Sequence, residues 1–123
     1  MIELEEIEQI HQTLIEFFGG SQRIRDLSAL KSVLARPFQT FENKDLYPTP
    51  IFKASALIES MLINHPFIDG NKRTGYVAMR SFLISNGLDI KATQDEKYIF
   101  VINIASGITR FEEIVEWLRT HII

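Results

Sequence analysis

A ten-residue segment, HPFIDGNKRT at positions 65–74, holds most of the side chains in this sequence that could do chemistry together. It contains an imidazole, a carboxylate and two adjacent cations, which are His65, Asp69, Lys72 and Arg73. Near neutral pH, an imidazole can take a proton from an attacking hydroxyl group. A carboxylate can hold Mg²⁺, which prefers oxygen ligands and often shares them with substrate phosphates. The residue types therefore indicate a reaction on a phosphate-bearing substrate.

The two cations lie where a helix normally disfavours them. Lys72 and Arg73 are predicted in the first turn of a helix, at the positive end of its macrodipole. The free N–H groups of such a turn attract anions, so two added cations make a site for a multiply charged anion such as a polyphosphate. Asn71 could cap this helix or donate its amide to a phosphate oxygen, and Gly70 would let the backbone approach the anion closely.

Each of these side chains also has an ordinary structural interpretation. Lys72 and Arg73 could simply extend into solvent, and Asp69 could be the N-cap of the helix. His65 could be a helix C-terminal histidine that the dipole stabilises. Phe67 is predicted to insert into the core and to anchor the loop. The combination of these residue types within ten positions favours the anion site over the alternatives.

Apolar residues recur at helical spacing almost throughout the chain, so we predict an all-α fold of six helices. His11 falls on the apolar side of the first helix and is expected to be packed in the core. The predicted helices cover about residues 7–18, 26–35, 50–65 and 71–86, then one opened by a Thr93–Glu96 capping box and one opened by a Thr109–Glu112 capping box.

One segment, PFQTFENKDLYPTP at residues 37–50, lacks the helical pattern. Loops of this length are uncommon in compact domains and are often functional. Its aromatic and β-branched residues suit a short extended hairpin, with residues 42–45 as the polar turn. The alternative is an ordinary connection that covers part of the core.

Composition restricts the broad class of protein. The 123 residues fit one domain, and the absence of Cys excludes disulfides, thiol nucleophiles and Cys-ligated metals. The net charge of -3 opposes binding to duplex nucleic acid, which relies on many phosphate contacts. No apolar run approaches the ~20 residues that span a bilayer, and the acidic N-terminus has no signal-peptide layout. We therefore expect a cytoplasmic protein with neither a membrane nor a nucleic acid as its partner.

The segment HPFIDGNKRT resembles the signature loop of the Fic/Doc superfamily, in the form typical of Doc (death-on-curing) proteins. Fic domains carry HPFx(D/E)GNGRxxR, and Doc proteins carry a shorter HxFx(D/N)xNKR form. Further likeness lies in LARP at residues 34–37, in YPT at residues 47–49 and in the stretch 82–88. The resemblance implies a single all-helical domain over residues 1–123, with about six helices and a short hairpin flap, at about residues 38–49, beside the active loop.

The resemblance also implies roles for individual residues. His65 would be the catalytic general base, and Asp69 would hold Mg²⁺. The phosphates of ATP would be bound by four consecutive residues, Gly70, Asn71, Lys72 and Arg73. A target peptide would add as a strand to the flap, at Thr40, Phe41 and Glu42.

Two positions depart from the Fic pattern and favour the Doc activity. Lys72 stands where Fic domains have their second motif glycine, and Tyr76 stands where they have a second arginine. In Fic enzymes, these positions help to form the pocket that orients ATP for transfer of AMP. Doc-like enzymes are understood to bind the nucleotide turned around, with the γ-phosphate facing the histidine, and to act as protein kinases. We therefore expect phosphoryl transfer from ATP to a Ser or Thr hydroxyl of a target protein. Gly70, where Doc proteins often have Ala, keeps AMP transfer as the alternative.

By the same resemblance, the protein would be the toxin of a toxin–antitoxin pair that acts on a component of translation. Some Fic proteins instead restrain themselves with a helix bearing (S/T)xxxE(G/N). The nearest matches here, Ser55–Glu59 and Thr109–Glu113, are followed by Ser60 and Ile114 and so lack the final Gly or Asn. This favours a separate antitoxin protein as partner. A module that binds a nucleotide or a partner without catalysis is the remaining alternative, and no feature of the sequence fixes an oligomeric state.

Overall fold

The computed structural model describes all 123 residues as six α-helices with one small antiparallel hairpin, which confirms the predicted all-α class. None of the helices combines the length and the apolar character that crossing a membrane requires. In chain order the elements are α1 (Leu4–Phe18), α2 (Leu27–Ala35), a 3₁₀ turn (Arg36–Phe38), β1 (Thr40–Phe41), β2 (Lys44–Asp45), α3 (Pro50–Asn64), α4 (Asn71–Ser85), α5 (Gln94–Ala105) and α6 (Phe111–His121).

Helix α3 lies at the centre of the fold, and its residues 54–62 are all buried. A helix buried on every side must pack against neighbours on more than one face. On one face, Ile58 and Leu62 join a core formed with α4, α5 and α6. On another face, Leu57 and Met61 join a second core formed with α1, α2 and Phe67. The position of the C-terminal end of α3 is therefore set by packing on both sides.

Side-chain caps confirm three predicted helix starts, because a backbone N–H is accepted by Asp26, Thr49 and Thr93. The predicted Thr109–Glu112 box is wrong by one residue. The carboxylate of Glu113 accepts the N–H of Arg110 at 3.0 Å, so α6 begins one position later. The reason is that the Thr109 N–H is already bound to the carbonyl of Asn103 at 3.0 Å, in the turn that ends α5.

The segment 37–50 contains the predicted hairpin, in a tighter form than expected. Strand β1 pairs with β2 through Thr40 opposite Asp45 and Phe41 opposite Lys44. The turn consists only of residues 42–43, whose φ angles of 51° and 64° are both positive, as a two-residue type I′ turn requires. Residues 44–45, which the sequence placed in the turn, are therefore strand residues.

A charge cluster of Arg36, Glu59 and Arg110 fixes the root of the hairpin. The Glu59 side chain is 8% exposed, and its two oxygens lie 3.0 Å from Arg36 Nη1 and 3.3 Å from Arg110 Nε. Arg36 also donates from Nε to the hydroxyl of Tyr47, beyond the second strand, at 3.0 Å. One carboxylate on α3 thus connects the two ends of the hairpin with the start of α6.

Replacing Glu59 should therefore destabilise the fold. In Glu59→Ala, two guanidinium groups lose their counter-charge, and we expect the free energy of unfolding to fall by about 2–3 kcal/mol, below the full value for a buried pair because Arg110 is 65% exposed. Urea unfolding measures the change. The control is Glu116→Ala, which breaks an exposed pair with Arg119 and should change stability by at most ~0.5 kcal/mol. Equal losses in the two variants would contradict the role of the cluster.

Candidate active site

The turn between α3 and α4 carries the candidate base. Helix α3 ends at Asn64, one residue before the predicted end, and His65 is a left-handed C-cap with φ 47°. Such a torsion is strained for a residue with a side chain and recurs at functional sites. Arg25 caps the helix end, because its Nε donates to the His65 carbonyl at 2.7 Å and its Nη2 to the Asn64 carbonyl at 2.6 Å. The exposed imidazole of His65 is therefore not needed to satisfy the end of the helix.

Asn71, the first residue of α4, closes the turn from within. Its Oδ1 accepts the N–H of Phe67 at 3.0 Å, and its Nδ2 donates to the Phe67 carbonyl at 2.9 Å. Phe67 is 1% exposed, so water cannot replace these bonds. One N–H of the Asn71 amide is left for another acceptor. The N-cap of α4 is Gly70 and not Asn71, and no side chain caps this helix.

His11 on α1 clamps the same turn from outside. Its ring is stacked on the ring of Phe67, with centroids 3.7 Å apart and planes 8° from parallel. Its Nε2 lies 2.8 Å from the carbonyl oxygen of Asp69, so this nitrogen carries the proton and donates. The residue is 2% exposed, which confirms the interpretation of His11 as a packed core histidine. Its position nevertheless makes it a support of the candidate site.

The backbone torsion and the close packing of α1 both explain why residue 70 is a glycine. Its φ of 81° is a left-handed torsion that favours glycine. A Cβ atom there would lie 3.2 Å from Cδ1 of Ile15 and 3.6 Å from Nε2 of His11. The close packing of α1 against the turn therefore accounts for Gly70.

The carboxylate of Asp69 is held by the turn that follows α1. Its Oδ2 accepts the backbone N–H of Ser21 at 2.7 Å, so Asp69 does not serve as the N-cap of α4. A Cβ atom on Gly20 would lie 2.9 Å from Cβ of Asp69, which shows how closely this turn approaches. No group of three or more acidic, His or Cys side chains in the chain could hold a metal ion. A single carboxylate with a free oxygen fits Mg²⁺ that completes its shell with phosphates and water.

The start of α4 has the features that bind anions. The N–H groups of residues 71–73 have no acceptor in the protein, and the first bonded N–H is that of Thr74, to the Gly70 carbonyl at 2.9 Å. Lys72 and Arg73 are exposed, and neither forms a salt bridge. Free backbone donors and two unpaired cations therefore lie within one helical turn.

An open cleft of about 890 Å³ connects the imidazole with the start of α4, because His65, Asp69 and residues 70–73 all line it. Tyr76 lines the cleft one turn further along α4, and its hydroxyl is buried without a partner. Burial raises the pKa of the Tyr76 phenol, so this side chain stays neutral. Helix α5 lines another side of the cleft with residues that include Lys97 and Tyr98, and α1 lines it with Leu14 and Phe18.

A model of the Fic/DOC family matches residues 1–83, which is more than half of the chain. The chain belongs to the Fic/DOC family. A curated relative, "Toxin Doc" from Mycolicibacterium smegmatis, is 42% identical over 78 residues, which cover 63% of this chain and 60% of the relative. The chain thus spans less than two thirds of the length of that relative. The resemblance of the segment HPFIDGNKRT to this family is confirmed, and the matched region includes helix α1, which clamps the Fic/DOC loop.

Sequence reasoning missed the groups outside the loop that hold it in place. These are Ser21, Arg25 and the clamp formed by His11. Gly20, in the turn after α1, allows the chain to pack against Asp69, because it has no Cβ atom to clash with that side chain. Nothing local in the sequence indicates a contact across 48 positions, such as that between Ser21 and Asp69.

The clamp by Asn71 has a measurable consequence for stability. In Asn71→Ala, the N–H and the carbonyl of buried Phe67 lose their partners, and we expect the free energy of unfolding to fall by about 2–4 kcal/mol. Urea unfolding provides the measurement. Asn86→Ala is the matched control, because its amide donates to the Phe82 carbonyl at 2.9 Å from an exposed helix end and should contribute about 1 kcal/mol or less. The clamp is refuted if Asn71→Ala is as mild as the control.

Proposed function

We propose that this protein transfers the γ-phosphoryl group of ATP to a Ser or Thr hydroxyl of a target protein. The observation that carries the proposal is one cleft lined both by the exposed imidazole of His65 and by the anion-binding start of α4. Members of the Fic/DOC family are typically enzymes that transfer nucleotide or phosphate groups. We further propose that the protein is the toxin of a toxin–antitoxin pair with a target in translation, which the similarity to "Toxin Doc" supports.

His65 acts as the general base of the transfer. As the hydroxyl oxygen of the target bonds to the γ-phosphorus of ATP, the imidazole takes the hydroxyl proton. The bond between that phosphorus and its bridging oxygen breaks, and ADP leaves with the electron pair. Phosphoryl transfer needs mainly positioning and charge stabilisation from a protein, so a small scaffold suffices.

The start of α4 binds the phosphates and stabilises the charge that develops on them. Lys72 and Arg73 supply positive charge, and the free N–H groups of residues 71–73 supply fixed donors. The remaining N–H of Asn71 is the part of its side chain available to a phosphate oxygen. Gly70 contributes through its backbone, because it has no side chain to obstruct the approach of the phosphates.

Asp69 is the residue that would hold Mg²⁺, through the carboxylate oxygen that the Ser21 N–H leaves free. When bound, the ion would supply positive charge that neutralises part of the charge of the phosphates. The hydrogen bond from Ser21 orients the carboxylate before any ion or nucleotide arrives.

Two side chains support transfer of the γ-phosphoryl group over transfer of AMP. Lys72 has a long side chain at the position of the second motif glycine of Fic domains. Tyr76 stands at the position of their second arginine and offers a neutral phenol whose hydroxyl is buried. The charge that the Fic pocket uses to orient ATP for AMP transfer is therefore missing from this position.

We propose that the hairpin holds the target peptide by strand addition at Thr40, Phe41 and Glu42. Strand β1 pairs with β2 on one edge only, and Phe41 is 67% exposed. No hydrogen bond or ion pair joins residues 40–45 to residues 65–74, and none of residues 40–45 lines the cleft that contains His65.

The placement of two glutamates supports restraint by a separate antitoxin. Glu59 is held by Arg36 and Arg110, and the carboxylate of Glu113 caps the first turn of α6. Both carboxylates are therefore already occupied by partners elsewhere in the fold.

Removing the imidazole should abolish transfer without unfolding the protein. We choose His65→Asn, because Asn adopts the left-handed torsion of this C-cap readily, and we expect label transfer to fall by at least about 10²-fold. The assay follows γ-labelled ATP into the proteins of a cell lysate, and mass spectrometry of the labelled peptide names the target.

His121→Asn is the control and should retain activity, because this histidine lies at the end of α6 beside Glu96. Full activity of His65→Asn would refute the proposed base. Transfer from α-labelled ATP would instead identify an AMP transferase. Binding of ATP without transfer of either label would indicate a non-catalytic module.

Expression of the protein alone in a bacterial host should slow growth, because modification of a translation component stops protein synthesis. His65→Asn at equal expression should restore the growth rate, and co-expression of a small gene neighbouring the natural one should relieve the wild-type effect. Growth curves measure both. Unchanged growth with soluble wild-type protein would contradict the toxin assignment while leaving the chemistry to the labelling assay.

A further inference from the structure

The contact that holds the guanidinium group of Arg73 differs in kind from those that hold the guanidinium groups of Arg36 and Arg80. Arg36 forms an ion pair with Glu59, and Arg80 donates to both oxygens of Asp89 at 2.9 and 3.1 Å. Arg73 makes no hydrogen bond or ion pair, and instead its guanidinium carbon lies 4.0 Å from the centroid of the Phe18 ring. This distance is the shortest of the six cation–ring contacts in the protein, the others being 5.4 to 6.0 Å.

The two ways of holding a guanidinium group have different consequences. A carboxylate binds the N–H donors at the edge of the group and offsets its charge. An aromatic ring contacts the face of the group and leaves the donors in its plane free. A group that must bind a phosphate needs both its donors and its charge. The Phe18 ring is therefore a support that leaves Arg73 fully able to bind an anion.

The burial of apolar surface does not by itself explain why a phenylalanine stands at position 18. The side chain is the last of α1 and is 59% exposed, and the neighbouring Phe17 is 81% exposed. Phe18 continues the stripe of Ile7, His11 and Ile15, which faces α4, but it lies beyond the edge of the core. Both Phe18 and Arg73 line the cleft that contains His65.

We propose that Phe18 is a positioning residue for the phosphate site, which holds the guanidinium of Arg73 in place over the cleft before the substrate binds. This inference rests on the proposed function. A long side chain loses rotamer freedom when it binds a ligand, and ordering it beforehand reduces that loss. The turn that follows α1 also fixes Asp69 through the Ser21 N–H, so residues 18–21 outside the loop orient both a phosphate-binding cation and the carboxylate.

The test measures binding of inorganic pyrophosphate to the full chain by calorimetry, which needs neither target nor turnover. Phe18→Ala should weaken binding by about two- to fivefold, as expected for an exposed cation–π contact. Phe18→Leu keeps the apolar bulk but has no ring, so it should weaken pyrophosphate binding by the same factor. Phe18→Tyr keeps the ring and should bind pyrophosphate as the wild type does. Phe17→Ala is the matched control and should bind as the wild type does.

A double-mutant cycle separates positioning from general packing. In an Arg73→Ala background, Phe18→Ala should have no further effect on pyrophosphate binding, because the two side chains act as one unit. The proposal is overturned if Phe18→Ala has no effect alone, if it has the same effect in both backgrounds, or if Phe18→Leu binds normally.

The same measurements distinguish this inference from the proposed reaction. Wild-type protein that shows the coupling yet transfers no label from ATP would support the role of Phe18 and refute only the reaction. Wild-type protein that binds no pyrophosphate would overturn both, because Arg73 would then face no phosphate site.

Discussion

The amide of Asn71 bonds both the N–H and the carbonyl of Phe67, and the path of the turn that carries the candidate site depends on that pair of bonds. Six residues join the end of α3 to the start of α4. A two-point clamp in the interior, where water cannot compete, defines the path of the backbone. The ring of His11 adds a second constraint by stacking on Phe67 and bonding the carbonyl of Asp69. The backbone of His65 and the donors of α4 are thereby held in one defined turn.

The start of α4 is stabilised less than the other helix starts of this chain. Helices α1, α5 and α6 each have two acidic residues in the first turn, where the macrodipole favours them. Helix α4 has no acid there and no side-chain cap, and it carries Lys72 and Arg73 instead. Each cation at this end is disfavoured by about 0.3–1 kcal/mol. A loss of stability at one helix start, within a chain that stabilises its other starts, is what an anion-binding role explains.

Several charged side chains elsewhere in the molecule form ion pairs that join separate parts of the fold. Glu59 is shared between Arg36 and Arg110 at the root of the hairpin, and Arg80 binds Asp89 through two bonds. Asp89 shows the effect of its pair directly, because the hydrogen bonds from Arg80 lower the pKa of this carboxyl to about 2. Lys72 and Arg73 are among the cations that form no ion pair, and what distinguishes them is their place among the free N–H groups at the start of α4. This combination of free backbone donors with two unpaired cations marks the candidate site without reference to any relative.

Local signals in the sequence were sufficient for the helices, because apolar spacing, prolines and capping residues act within a few positions of one another. They also brought His65, Asp69, Lys72 and Arg73 into one short segment, and the family resemblance of that segment is confirmed. The sequence could not show that Asn71 clamps Phe67, that Ser21 holds Asp69 or that Phe18 supports Arg73, because these contacts join positions whose distance in space depends on packing. The hairpin turn and the start of α6 were each misplaced by a residue or two, since a competing hydrogen bond or a tight turn decides them. The residue types along the chain therefore indicated which chemistry was possible. The orientation of the groups was decided by the Asn71 clamp and by the packing of α1 and the turn after it against the α3–α4 turn.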